Sequence, residues 1–251
     1  RTLYSFLPPY ALLSRVLASQ EWPGYILTFY ETLGNTINWL KKEQERQDRN
    51  RLTDDISTTA FLQDRIRSVF KGKIQYNDET VSLKIAEGML SPVNIAAGQM
   101  EIWPFWAIVE AGLKSERFDF SKIYFEEPET HLHPAAQHSI MEMVACLVRN
   151  DTRFLITTHS PYILYSINNF LMAQKVSDAG HPLPGNISEE TALHPDQVAA
   201  YRFTADGNIF DIMDREVGLI DEDELDSVAD MLGSDFSALQ DCLGRDNNEN
   251  Y

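Results

Sequence analysis

Residues 122–134 read KIYFEEPETHLHP and residues 155–161 read LITTHSP, and these two segments constrain the fold more than any other part of the chain. Each starts as a short apolar run with aromatic or β-branched residues, the composition of a buried strand, and then breaks into polar residues. The first ends in Glu126 and Glu127; the second ends in Thr157, Thr158 and His159. Between them residues 135–148 carry apolar positions at helical spacing. A strand, a helix and a strand in this order predict parallel pairing of residues 122–126 with 153–157 in an α/β sheet. Both polar ends then lie at the carboxyl edge of the sheet, where open α/β sheets bind their ligands.

The residue types at that edge suit one chemistry. Phosphoryl transfer asks for charge neutralisation on phosphate oxygens and an oriented water, with little covalent work for the protein. Paired carboxylates and a histidine supply part of that, so nucleotide hydrolysis is the reaction they point to. Upstream, Ala96-Ala97-Gly98-Gln99 precedes a helix expected over residues 99–113, in which Pro104 demands a bend or a late start.

Taken together, these segments resemble the C-terminal half of an ABC-type ATPase domain. They are most similar to the soluble ATPases related to the overcoming-lysogenization-defect family, many of which act in antiphage defence. Residues 123–129, IYFEEPE, resemble that family's Walker B strand; 130–134, THLHP, its D-loop; 157–161, TTHSP, its switch-histidine strand end; and 96–99, AAGQ, its signature. The resemblance implies an α/β fold with an ABC-ATPase-like P-loop NTPase sheet, flanking helices and a helical insertion. It implies ATP and Mg²⁺ as ligands, with Glu126 holding the metal directly or through water, as suits a hard cation. Glu127 would orient or deprotonate the attacking water and His159 would sense the γ-phosphate. Ala96, Ala97, Gly98, Gln99, Glu129, Thr130 and His131 would contact nucleotide, in part across a head-to-tail homodimer or higher homo-oligomer. The switch would control a separate effector, a nuclease or toxin. The alternative is a scaffold or sensor that binds ATP without hydrolysing it.

Two departures bear on that choice. Glu126 stands where Asp is more common, which puts direct metal contact in question. Ala96 and Ala97 replace the hydroxyl and first glycine of the signature, leaving Gly98, backbone N–H groups and a helix N-terminus to attract phosphate. The same residues also read as the tight start of a helix. No G-x-x-x-x-G-K-[ST] loop occurs; Phe70-Lys71-Gly72-Lys73 comes nearest but lacks the upstream glycine and the following hydroxyl. These residues are therefore expected to be the C-terminal part of a longer polypeptide whose phosphate loop lies upstream, and to be inactive in hydrolysis alone.

Four parts are expected: 1–24 within the ATPase core, 25–72 a helical insertion, 73–188 the core with its motifs, and 189–251 an acidic module. Residues 73–85 alternate as two short strands about a turn at Asn77-Asp78. From residue 189 onward 17 acids face three arginines and no lysine, most of the chain's net charge of −17. Such a module repels a phosphate backbone. It reads as a solvated face, with a docking patch for a basic partner as the alternative. Lys41, Lys42, Arg46, Arg49, Arg51, Arg65 and Arg67 interleave with acids as on a salt-laced helix surface, which leaves direct nucleic-acid binding open. Asp221-Glu222-Asp223 reads as an acidic helix start rather than a nuclease pair, with residues 219–226 helical. His131, His133 and His138 lack a thiolate companion and are assigned to the D-loop and its helix rather than to zinc. Cys146 and Cys242 show no metal or disulfide spacing, and no apolar run of membrane length occurs, so a reducing cytoplasm is expected.

Overall fold

The computed structural model describes residues 24–50, 57–76, 81–115, 121–221, 231 and 233–240. Residues 1–23 of the part expected to belong to the ATPase core, the Asn77-Asp78 turn and the acids from Glu222 to Asp226 lie outside them. The chain divides into two units, residues 1–159 and 160–251.

In the first unit, helices α1 (Gly24–Asn50) and α2 (Ser57–Phe70) fill the region read as a helical insertion. Their apolar faces carry Leu33, Ile37 and Leu40, and Leu62, Ile66 and Val69, all buried at the 3–4 spacing that puts residues on one helix face. Strands β1 (Lys73–Tyr76), β2 (Val81–Ile85) and β3 (Gly88–Leu90) form an antiparallel meander. β1 and β2 match the expected pair, and β3 is an addition. Gln44 of α1 clamps β1, its amide donating to the Ile74 carbonyl while its carbonyl accepts from the Tyr76 N–H. The Tyr76 hydroxyl donates to Glu110 at 2.7 Å, and Lys114 pairs with the same carboxylate at 2.8 Å. Burial, reinforced by the Glu110 charge and hydrogen bond, pushes the Tyr76 pKa well above its ordinary value.

Lys71, at φ 51°, and Gly72 turn the chain from α2 into β1, and the Lys71 N–H closes the helix on the Arg67 carbonyl. A Cβ on Gly72 would lie 2.6 Å from the Lys84 carbonyl oxygen. The nearest imitation of a phosphate loop is thus a tight helix-to-strand turn packed on β2.

Helix α3 (Ala97–Lys114) starts two residues earlier than expected and continues through Pro104. Its Phe105 stacks on Phe125 at 4.7 Å between ring centroids and meets Phe154 edge-on at 6.4 Å. Those rings belong to β4 (Lys122–Glu126) and β5 (Arg153–Thr157), which pair in parallel from Lys122 opposite Arg153 to Glu126 opposite Thr157. Helix α4 (Pro134–Arg149) crosses between them, with His133 as N-cap accepting from the Ala135 N–H and Pro134 in the first turn. Buried Ile140, Met143, Cys146 and Leu147 bring α4 into the core, so Cys146 is a core thiol as expected. Among the described residues one face of the parallel pair is packed, and Tyr124 and Leu155 on the other are exposed.

The second unit opens with α5 (Pro161–Asp178) and ends, among the described strands, with two hairpins, β6 (Tyr201–Phe203) with β7 (Ile209–Asp211) and β8 (Met213–Asp214) with β9 (Leu219–Ile220). Ser160 occupies the N-cap of α5, and its side chain accepts no capping hydrogen bond. Leu219 and Ile220, expected to open an acidic helix, form β9 instead. The Asn168 side chain explains why: it donates to the Ile220 carbonyl and accepts from the Ile220 N–H, fixing that residue in an extended conformation. Ile163, Phe170, Leu171, Leu193, Met213 and Ile220 make the unit's apolar centre. No helix among the described residues is long and apolar enough to cross a membrane.

Candidate functional site

At the carboxyl end of β4 the backbone leaves the sheet abruptly. Glu127 adopts φ 44°, the left-handed region that side chains other than glycine enter at a cost of order 1–2 kcal/mol. It is held there from both sides. Its N–H donates to the Thr157 carbonyl at 2.7 Å, extending the contact with β5 one residue past the ladder. Its carbonyl accepts from the Thr130 N–H at 3.0 Å and the Thr130 hydroxyl at 2.9 Å. Residues 127–130 are therefore a β-turn, with Pro128 at the second position, where its fixed φ is preferred. A second turn follows, closed by the Leu132 N–H on the Glu129 carbonyl.

This geometry brings the carboxylate of Glu127 to 3.6 Å from Nε2 of His159, which stands two residues past the end of β5. The imidazole is 83% exposed and the Glu127 side chain 20%, so the pair faces solvent from one side. Glu126, one residue earlier, is exposed at the same edge. Glu129 turns back toward β5: its Oε1 accepts from the Thr158 hydroxyl at 2.9 Å and the His159 N–H at 2.7 Å. Its Oε2 is buried without a partner.

The residues before α3 behave differently. Ala96 and Ala97 are exposed and Ala96 caps the helix without a side-chain bond. Gly98 is buried against the D-loop, where a Cβ would lie 2.5 Å from the His131 carbonyl oxygen and 2.8 Å from a Leu132 methyl. The Gln99 amide donates to the Val69 and Phe70 carbonyls at the end of α2, supplying donors that the helix terminus lacks. His131, at φ 57°, places Nδ1 3.0 Å from Glu101 of α3.

Sequence reasoning thus selected Glu126, Glu127, Glu129 and His159, which the fold gathers at one edge. It also selected Gly98, Gln99 and His131, whose visible partners belong to their own chain. Thr158 and Glu101 were missed as participants. Thr158 carried a signal, since it immediately precedes His159 at a strand end; Glu101 carried none, because its partner lies 30 residues away.

Mg²⁺ fits this donor set. Among the described residues no cluster of three or more His, Cys, Asp or Glu could hold an ion alone. One or two carboxylates at an exposed edge match a cation that keeps several waters and takes its remaining oxygens from phosphates.

Residues 107–164 match the family described as "AAA domain, putative AbiEii toxin, Type IV TA system". The match spans β4, the turns over residues 127–132, α4, β5 and His159, and it supports an AAA- or ABC-like P-loop ATPase domain. The mixed α/β architecture is compatible with a P-loop NTPase-like domain. No curated protein matches the chain.

Proposed function

We propose that this chain supplies the water-activating part of an ABC-type ATPase of the overcoming-lysogenization-defect kind, working as a nucleotide-driven switch. The observation that supports it most is the placement of Glu127 and His159, from two parallel strands, 3.6 Å apart at the carboxyl edge of the sheet. In this reading Glu127 orients a water and accepts its proton as the water oxygen attacks the γ-phosphorus. The bond to the β–γ bridging oxygen breaks and ADP leaves. His159 lies beside the transferred phosphoryl group, and the exposed face of its ring leaves room for that contact. Glu126 would hold Mg²⁺, which supplies charge neutralisation on the phosphate oxygens when bound.

The phosphate loop would come from an upstream segment, and a second copy of the chain would present its α3 N-terminus to the nucleotide. The toxin–antitoxin setting in the matching family's name favours a defence role in which ATP controls a separate nuclease or toxin. A non-hydrolysing scaffold is the second reading, and exposed Ala96 and Ala97 favour it, since neither offers a hydroxyl to a partner's γ-phosphate.

Glu127→Gln in the intact protein separates the two. Under the ATPase reading ATP binding is retained while turnover falls on the order of 10²–10⁴-fold, the range for losing a general base. Unchanged turnover sinks the ATPase reading. Nucleotide binding with no wild-type turnover establishes the scaffold.

A further inference from the structure

The resemblance placed Glu129 among nucleotide-contacting D-loop residues. The geometry points elsewhere: we infer that Glu129 is a positioning residue, which sets the distance between Glu127 and His159 by tying the D-loop turn to the end of β5. The inference rests on the ATPase reading for its catalytic consequence, though not for its structural one.

Three hydrogen bonds join the segment after β4 to the end of β5 and the residues beyond it, and two of them are donated by backbone N–H groups. The Glu127 N–H reaches the Thr157 carbonyl at 2.7 Å, and the His159 N–H reaches Glu129 Oε1 at 2.7 Å. With the intervening residues 127–129 and 157–159 they close a small ring. Glu127 lies at one end of that ring and His159 at the other, so the ring fixes how far apart their side chains begin. The β-turn at 127–130 is what aims Glu129 back across it.

Among the described residues no other contact restrains His159 so directly. Its imidazole is 83% exposed and meets Glu127 only at 3.6 Å, beyond a good hydrogen bond, so the ring itself supplies weak guidance. The backbone N–H held by a carboxylate is the stronger constraint, because hydrogen bonds to an ionised acceptor are the shorter and stronger kind. The Thr158 hydroxyl on the same Oε1 fixes the adjoining residue as well. The buried and unpartnered Oε2 argues that Glu129 is not there for stability alone: leaving a buried polar atom unpaired costs about 1–3 kcal/mol.

The link also reaches the signature segment. Glu129 is two residues from His131, whose ring meets Glu101 and whose carbonyl touches Gly98.

A double-mutant cycle on ATP turnover tests the inference, using Glu129→Ala, His159→Ala and both together. Misplacing a reacting group by about 1 Å can cost up to about 100-fold, so Glu129→Ala is expected to lower kcat roughly 10–100-fold with KM within about twofold. In the His159→Ala background the same change is expected to cost under about threefold, because its target is gone. Glu129→Gln, which keeps the accepting oxygen, should restore kcat to within about threefold of wild type. Equal losses in both backgrounds, or a rise in KM alone, overturn the positioning role. Amide hydrogen exchange at His159 gives a readout that needs no turnover: protection should fall in Glu129→Ala and return in Glu129→Gln. Unaltered exchange overturns the link. If Glu127→Gln turns over like wild type, the ATPase reading fails, while the exchange result still decides the role of Glu129.

Discussion

The ends of β4 and β5 and the start of α3 were singled out by the same resemblance, yet they use their residues in opposite ways. At the strand ends, Glu127 sits in a strained backbone region and Glu129 keeps one oxygen buried and unpaired. At the start of α3, Gly98 touches the D-loop backbone and Gln99 satisfies two carbonyls of α2. At the strand ends a strained residue and an unpaired oxygen lie beside the proposed chemistry, whereas at the start of α3 tight packing and satisfied bonds hold the helix terminus. Motif resemblance marks both regions alike, whereas their geometries differ.

The largest expected effect on this contrast comes from the strand end. Glu127→Gln should cut turnover on the order of 10²–10⁴-fold. Its Tm should move by only a few degrees, because the side chain is partly exposed and its backbone bonds survive. A collapse in Tm would show that Glu127 braces the fold and would erase the difference between the regions.

Gly98→Ala is the converse experiment and the next largest. Its Cβ would lie 2.5 Å from a backbone carbonyl oxygen, an atom that cannot swing aside as a side chain does. Overpacking of this kind costs about 1–3 kcal/mol, so chemical denaturation should reveal a stability loss of that order. Because the clash is with His131, the loss should be accompanied by weaker protection of the D-loop amides. Full stability in Gly98→Ala would mean that the glycine answers to a ligand rather than to its own chain. Gln99→Ala should act in the same sense but more weakly, losing about 1 kcal/mol for the carbonyls it abandons at the end of α2.

Much of the candidate edge was legible because it is local. An apolar run that breaks at two glutamates fixes both the strand and its end, and β4 and β5 occupy the expected residues, in the expected parallel pairing. Helix α4 likewise covers the expected residues 135–148, extended by Pro134 and Arg149 at its ends. What sequence could not convey was partnership over distance. β3 is three residues led by a glycine, too short for alternation to register, and it exists because β2 is beside it. Leu219 and Ile220 precede a run of acids that suits a helix start, but Asn168, 52 residues away, holds Ile220 in a strand. Gly98 and Gln99 also contact His131 and the end of α2, about 30 residues distant, and no local pattern announces those partnerships.

A buried acid away from the edge provides the finest test of the contrast between strained chemistry and satisfied packing. Glu142 of α4 is 6% exposed and lies 3.4 Å from Arg65 of α2. Burial pushes its pKa above the ordinary 4.5, Asp64 adds to the rise, and Arg65 and His138 pull against it. The folded state thus binds this proton more tightly than the unfolded chain does. Stability from that preference is complete below the unfolded pKa and is lost as pH climbs through the folded one. Glu142→Gln removes the titration, so the Tm of the variant minus that of wild type should rise as pH climbs from the ordinary carboxylate range through the raised folded value, whatever its starting sign. A difference that stays flat over that interval would mean the Arg65 pair outweighs burial, and that Glu142 belongs with the satisfied groups rather than with the burdened carboxylates at the strand end.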